Sequence, residues 1–242
     1  MSDVKERPIL FSAPMVRAIL DGHKTQTRRI VKQSLERLGD GDWYAFDHKG
    51  VNYRVNARHT TVAAWAHLIQ FCPYGQPGDR LRVKEAVWMW CERRPNGKTK
   101  TGRDKWLYVP LRGAPTFYAS DRTGMPSLDV VSPETGNQWG WRFKIGRFMP
   151  AWASRITLEV TGVRIERLQE ISEEDAIAEG LNIFNEDDAN LYYSALALDN
   201  QWPEGWHFDD PIGAYRELWE SINGPDSWAD NPWVWVIEFR KL

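Results

Sequence analysis

Nine residues, Asp21-Gly22-His23-Lys24-Thr25-Gln26-Thr27-Arg28-Arg29, set a lysine three positions before a threonine and two arginines directly after it. Neighbouring positive charge disfavours an ammonium, so Lys24 is expected to release its proton more readily than an isolated lysine. A neutral lysine is a base, and the Thr27 hydroxyl is a nucleophile that it would activate. The plainer alternative is a solvated basic turn after a surface helix. A carboxylate of complementary chemistry stands far along the chain. Glu179 falls in the last turn of the helix expected in Ile171-Ser172-Glu173-Glu174-Asp175-Ala176-Ile177-Ala178-Glu179-Gly180. There the helix dipole disfavours negative charge, raises the carboxyl pKa and suits a proton carrier. The plainer alternative is an exposed glutamate of little consequence.

The elements that position these residues are readable. Pro14 fits a first helical turn, Ser12 is a candidate cap, Met15, Ala18 and Ile19 share a face, and Gly22 suits the left-handed residue past the helix end. Lys24 and Thr27 therefore sit in the exit loop. In the second stretch Ser172 is the cap, acids fill the first turn and Gly180 ends the helix. Asp210 and Pro211 open a third helix, with Tyr215, Leu218, Trp219 and Ile222 on one stripe. Pro8 to Phe11, Arg80 to Trp88, Thr116 to Ala119 and Ile156 to Val160 read as strands. In the second of these, Leu81, Val83 and Val87 share one face and Arg82 and Lys84 the other, which makes that other face basic. Trp233-Val234-Trp235-Val236-Ile237-Glu238-Phe239 is nearly continuous in apolar residues and is expected at the centre of the sheet. Trp43 to Phe46 and Val51 to Val55 suggest a hairpin, Val62 to Ile69 a helix, and residues 121–140 a loop.

At 242 residues the chain buries enough surface to need no staples. Cys72 and Cys91 lack metal-ligand spacing, so neither a metal nor a disulfide framework is expected. No apolar h-region and no run of about 18 apolar residues occurs, which favours the cytoplasm and argues against a membrane. The formal net charge of −2 is unevenly spread. Six cations and one acid lie between Arg93 and Lys105, while seven acids and no cation lie between Glu173 and Asp188. Fourteen tryptophans serve core packing first and base stacking second.

The order of these motifs resembles the ASCH family. It comprises a short helix ending in Gly-x-Lys-Thr-x-Thr-x-Arg, a Pro-Gly-Asp turn opening a strand, a Ser-capped helix ending Glu-Gly, and a terminal Val-Ile-Glu-Phe strand. The resemblance covers roughly residues 7–32, 71–90, 116–122, 151–181 and 211–242, and the segment from Pro73 to Arg80 is similar to ASCH-like proteins of bacteriophages and prophages. It implies an α+β fold with a PUA-like small β-barrel and a few short helices. It also implies a single domain over 1–242 with insertions at about 33–70, 91–115 and 182–210. Some small members of the family are amidohydrolases that deacetylate N4-acetylcytidine with a lysine, a threonine and a glutamate. By position these are Lys24, Thr27 and Glu179, with no cofactor and no metal.

The resulting expectation is hydrolysis of an N4-acyl group on a modified cytosine nucleoside, with Lys24 as base, Thr27 as nucleophile and Glu179 as proton carrier. Arg29 would stabilise the oxyanion or hold Glu179. Arg28, Arg29, Arg82, Lys84, Trp88 and Tyr118 are the expected substrate-binding residues. Two alternatives stand beside it. The chain would be an RNA- or nucleic-acid-binding module without chemistry, its basic strand face following phosphates while aromatics stack on bases. Or it would be a ribonuclease, although His23 is the only histidine in the site region. The partner is accordingly a modified nucleoside or RNA. Oligomeric state is not legible.

Overall fold

A computed structural model describes residues 4–32, 35–38, 43–48, 51–56, 68–121, 139–187, 190–194 and 208–242. The protein is α+β, mostly sheet with few helices. It divides into two compact units, one made of Met1–Arg7, Ala18–Leu81 and Thr157–Leu242, the other of Pro8–Arg17 and Arg82–Ile156.

The first unit is built on a sheet of strand order β1 (Glu6–Leu10), β6 (Arg80–Lys84), β11 (Thr157–Arg167), β14 (Trp233–Lys241) and β2 (Gln26–Ile30), the opening residues of β1 and β6 belonging to this unit. Among the described residues this ladder runs from β1 to β2 without closing. β14 is flanked antiparallel by β11 and β2, which explains its apolar run: Val234, Trp235, Val236, Ile237 and Phe239 are all buried. β11 continues past Gly162 with a shift of register there. Among the described residues the α-helices are α1 (Ala13–Leu20), whose first five residues belong to the second unit, and α2 (Glu173–Ala178) and α3 (Pro211–Asn223) in this unit. Their ends follow the sequence signals. The Ser172 hydroxyl accepts from Asp175 N, the Asp210 carboxylate accepts from Gly213 N, and Pro211 occupies the first turn of α3.

Two expected insertions also carry structure in this unit. β3 (Leu35–Leu38), β4 (Trp43–His48) and β5 (Val51–Asn56) form an antiparallel sheet that includes the expected hairpin. The expected helix over Val62 to Ile69 lies outside the described residues except at its end. Within the expected insertion at 182–210, β12 (Asn182–Asp187) pairs antiparallel with β13 (Asn190–Ser194).

The second unit holds a sheet of order β10 (Trp139–Lys144), β7 (Val87–Lys98) and β8 (Asp104–Pro110), with β9 (Thr116–Tyr118) also on β7. The basic stretch expected as an insertion is the outer half of the β7–β8 hairpin. Val87, Met89, Cys91, Met149 and Ala153 form the core on one face, with Tyr108 and Tyr118 packed against it. The single strand expected over 80–88 is interrupted at Glu85 and Ala86. Burial explains the break. Glu85 accepts the Ser120 hydroxyl and pairs with Arg155 at 3.1 Å, while its N–H donates to the Met149 sulfur at 3.3 Å. A buried carboxylate needs such partners. The expected loop at 121–140 lies mostly outside the described residues. Among the described residues no helix is long and apolar enough to cross a membrane.

Candidate active site

The segment after α1 is clamped by backbone bonds. The N–H groups of His23 and Lys24 both donate to Ala18 O, at 2.9 and 3.0 Å, and Thr25 N donates to Ala178 O at 2.9 Å. On the other side Phe239 N donates to Thr25 O at 2.8 Å. Lys24 thereby pairs antiparallel with Glu179 at the end of α2. Gly180 makes that approach possible. Its φ is +93°, and a Cβ there would lie 2.9 Å from Lys24 Cβ and 3.0 Å from Ala18 Cβ.

The side chains repeat the pairing. Lys24 Nζ donates to Glu179 Oε2 at 2.8 Å and to the Glu179 carbonyl at 2.6 Å, and both residues are buried. Burial pushes the Lys24 amine below its usual range; the Glu179 charge opposes this, and the nearby Arg29 and Arg28 add to it. Arg28 Nη1 donates to the other carboxylate oxygen, Oε1, at 3.2 Å. The same guanidinium reaches Glu166 Oε1 at 3.0 Å through Nε and Asp175 Oδ2 at 2.7 Å through Nη2. Burial alone would lower Arg28, but the Glu179 and Glu166 carboxylates more than offset it and hold the cation charged. Arg164 completes the network with bonds to Glu166 at 2.9 Å, to Asp175 and to Glu238. Burial opposes the ionisation of Asp175, yet the hydrogen bond from Arg28 and the charges of Arg164 and Arg28 keep its carboxyl below the usual range. The Tyr215 hydroxyl is pushed well above its usual range by burial and then by Glu179, so it stays a neutral phenol.

Strand alternation decides which residues meet. Lys24, Gln26 and Arg28 reach Glu179, the Asp175 carbonyl and the three carboxylates respectively, so they share a face. The pleat therefore directs Thr27 and Arg29 to the opposite face of β2. Thr27 is buried there, its backbone opposite Ile237 of β14. The structure thus brings together Lys24, Arg28 and Glu179, and it is Arg28 rather than Arg29 that holds the Glu179 carboxylate.

Arg82, Lys84, Trp88 and Tyr118 belong to the second unit. Lys84 Nζ donates to Arg147 O at 2.6 Å, and Arg82 is half-buried. Tyr118 gives its hydroxyl to Ala153 O at 2.9 Å and its ring face to Arg155 at 3.9 Å. Trp88 lies on the sheet face away from the core, its ring 5.3 Å from that of Phe143. Residues not singled out from sequence are Glu166, Asp175, Arg164 and Tyr215. The alternation Gln26/Arg28 against Arg164/Glu166 was the available signal, since two strands with complementary charges at period two can share a buried network.

A cavity of about 200 Å³ is lined by His23, Ile177, Leu181 and Ile183, and neither Lys24 nor Glu179 is part of its lining. His23 precedes Lys24, and Leu181 follows Glu179 by two residues. The lining is apolar apart from the imidazole, which suits a flat ring more than a charged group. Among the described residues no cluster of three His, Cys, Asp or Glu side chains is placed to hold a metal ion. No family model, curated protein or solved structure matches this chain.

Proposed function

We propose that the Lys24–Glu179 pair is the proton-transfer centre of an amidohydrolase acting on an N4-acyl cytosine nucleoside, within a PUA-like ASCH fold. The observation that carries this reading is the buried 2.8 Å contact between a lysine amine of lowered pKa and a carboxylate. An amine whose burial disfavours its protonated form is a base, and a carboxyl in direct contact relays what the base has taken.

In this scheme neutral Lys24 takes a proton from water as the water oxygen bonds to the acyl carbon. The tetrahedral intermediate carries the negative charge on the former carbonyl oxygen. Glu179 passes the proton from Lys24 to the exocyclic nitrogen, the C–N bond breaks, and a carboxylic acid and the free amine leave. Water replaces Thr27 as the attacking group because the Thr27 side chain lies across the pleat from Lys24. Arg28 fixes Glu179 through Oε1 and leaves Oε2 for the proton. The base ring enters beside His23 and Leu181, where the cavity has room for a ring-sized group.

The test is incubation with N4-acetylcytidine and chromatography of released cytidine. Wild type is expected to turn over, and Lys24→Met and Glu179→Gln to lose at least about a hundredfold, the usual scale of acid–base assistance. No release by wild type, or equal release by Lys24→Met, overturns the proposal.

A further inference from the structure

The sheet of the second unit carries aromatic rings on the face opposite its core. Along β7 the buried Val87, Met89 and Cys91 alternate with half-buried Trp88 and Trp90. β10 sets Trp141 opposite Trp90 and Phe143 opposite Trp88, and β9 sets Phe117 opposite Trp88 from the other side. The rings meet as neighbours: Trp90 and Trp141 at 5.3 Å, Trp88 and Phe143 at 5.3 Å, Phe117 and Trp141 at 5.0 Å. All three pairs are tilted or edge-on rather than stacked face to face. Phe143 is 47% exposed.

Aromatic residues of this number belong in a core, and on a surface they mark a binding site. Charge identifies the occupant. The residues of this unit include fifteen Lys and Arg against six Asp and Glu, a formal +9 in a chain whose total is −2. Six of those cations lie between Arg93 and Lys105, on the hairpin that extends the same sheet. The aromatic face continues along it: Glu92 pairs with Val109 and Arg94 with Leu107, and Leu107 is exposed. Flat apolar groups strung on a polyanion match both features. A duplex keeps its base faces inside its own stack, which leaves single strands as the matching ligand.

We propose that this face binds single-stranded nucleic acid, bases stacking on Trp88, Trp90, Phe117, Trp141 and Phe143 while phosphates follow the Arg93–Lys105 hairpin. The platform shares no residue with Lys24 and Glu179, and neither proposal rests on the other.

The test is fluorescence anisotropy of the full chain with labelled oligo-dT and oligo-rU of about twenty nucleotides. Expected is saturable binding that weakens steeply with salt, as release of several counterions requires. Phe143→Ser, at an exposed position, is expected to weaken binding on the order of tenfold, the effect of losing one stacked base. Arg94→Glu with Lys105→Glu is expected to weaken binding and flatten its salt dependence. Lys24→Met should bind as wild type does, so a failed deacylation assay leaves this result readable. The proposal is overturned by no binding at low salt, by unchanged affinity in both variants, or by equal affinity for a duplex of the same length. Circular dichroism of each variant confirms that lost binding is not lost folding.

Discussion

Gly180 lies so close to Lys24 that a Cβ on the glycine would sit 2.9 Å from the lysine's own Cβ. The end of α2 and the loop after α1 are therefore seated on each other with no room for a methyl group. Gly180→Ala must also hold a φ of +93°, where an L side chain is strained. A loss of about 1–3 kcal/mol is expected, lowering the melting temperature by roughly 2–12 °C. Because the strain falls on the Lys24–Glu179 seat, deacylation should fall further than stability does. An unchanged melting temperature would show that the seat is loose.

Lys24 links stability to pH with a definite sign. Burial, then Arg29 and Arg28, lower the folded lysine below the 10.5 of the unfolded chain. Between those two values the unfolded chain binds a proton that the folded chain does not, so folding gains as pH rises through the window. Below it the gain is absent. In urea melts from neutral pH to about pH 10, the midpoint difference between wild type and Lys24→Met should shift in favour of wild type. Parallel curves for the two proteins would mean that the lysine stays protonated throughout, and would remove the base from the proposed scheme.

Arg28 is the cation shared by three carboxylates. Its side chain is fully buried, and Arg28→Met leaves Glu166, Asp175 and Glu179 facing one another with less compensation. Removing one partner of a buried ion pair costs about 3–5 kcal/mol, so a drop of roughly 6–20 °C in melting temperature is expected. Arg29→Met, on the other face of β2, should cost clearly less. Equal losses would contradict the pleat that separates the two arginines.

Much of the scaffold was legible because its signals are local. Ser172, Asp210, Pro211 and Gly180 mark helix ends through hydrogen bonds made within three or four residues, and the apolar run Trp233–Phe239 carries the period of a strand covered on both sides. The site was legible only in part. Lys24 and Glu179 lie 155 residues apart, and no periodicity joins them; their pairing was expected only through the family resemblance. Holding Glu179 is expected of Arg29 and falls to Arg28, because β2 imposes alternation where the sequence reads as a loop. The burial of Glu85 has no local signal, since the bond from Ser120 and the pair with Arg155 that allow it come from distant segments.

The two cysteines acquire a use from where they lie. Both are buried, Cys72 in the first unit and Cys91 in the second, and burial raises both thiols, that of Cys72 to about 11. Neither offers a thiolate near neutral pH, so each is silent to alkylation until its own surroundings open. Pulsed labelling along a denaturant series, read by peptide mass, therefore reports the opening of each unit from its native residue. One shared midpoint would make the chain a single cooperative body, and two midpoints would order the units by stability.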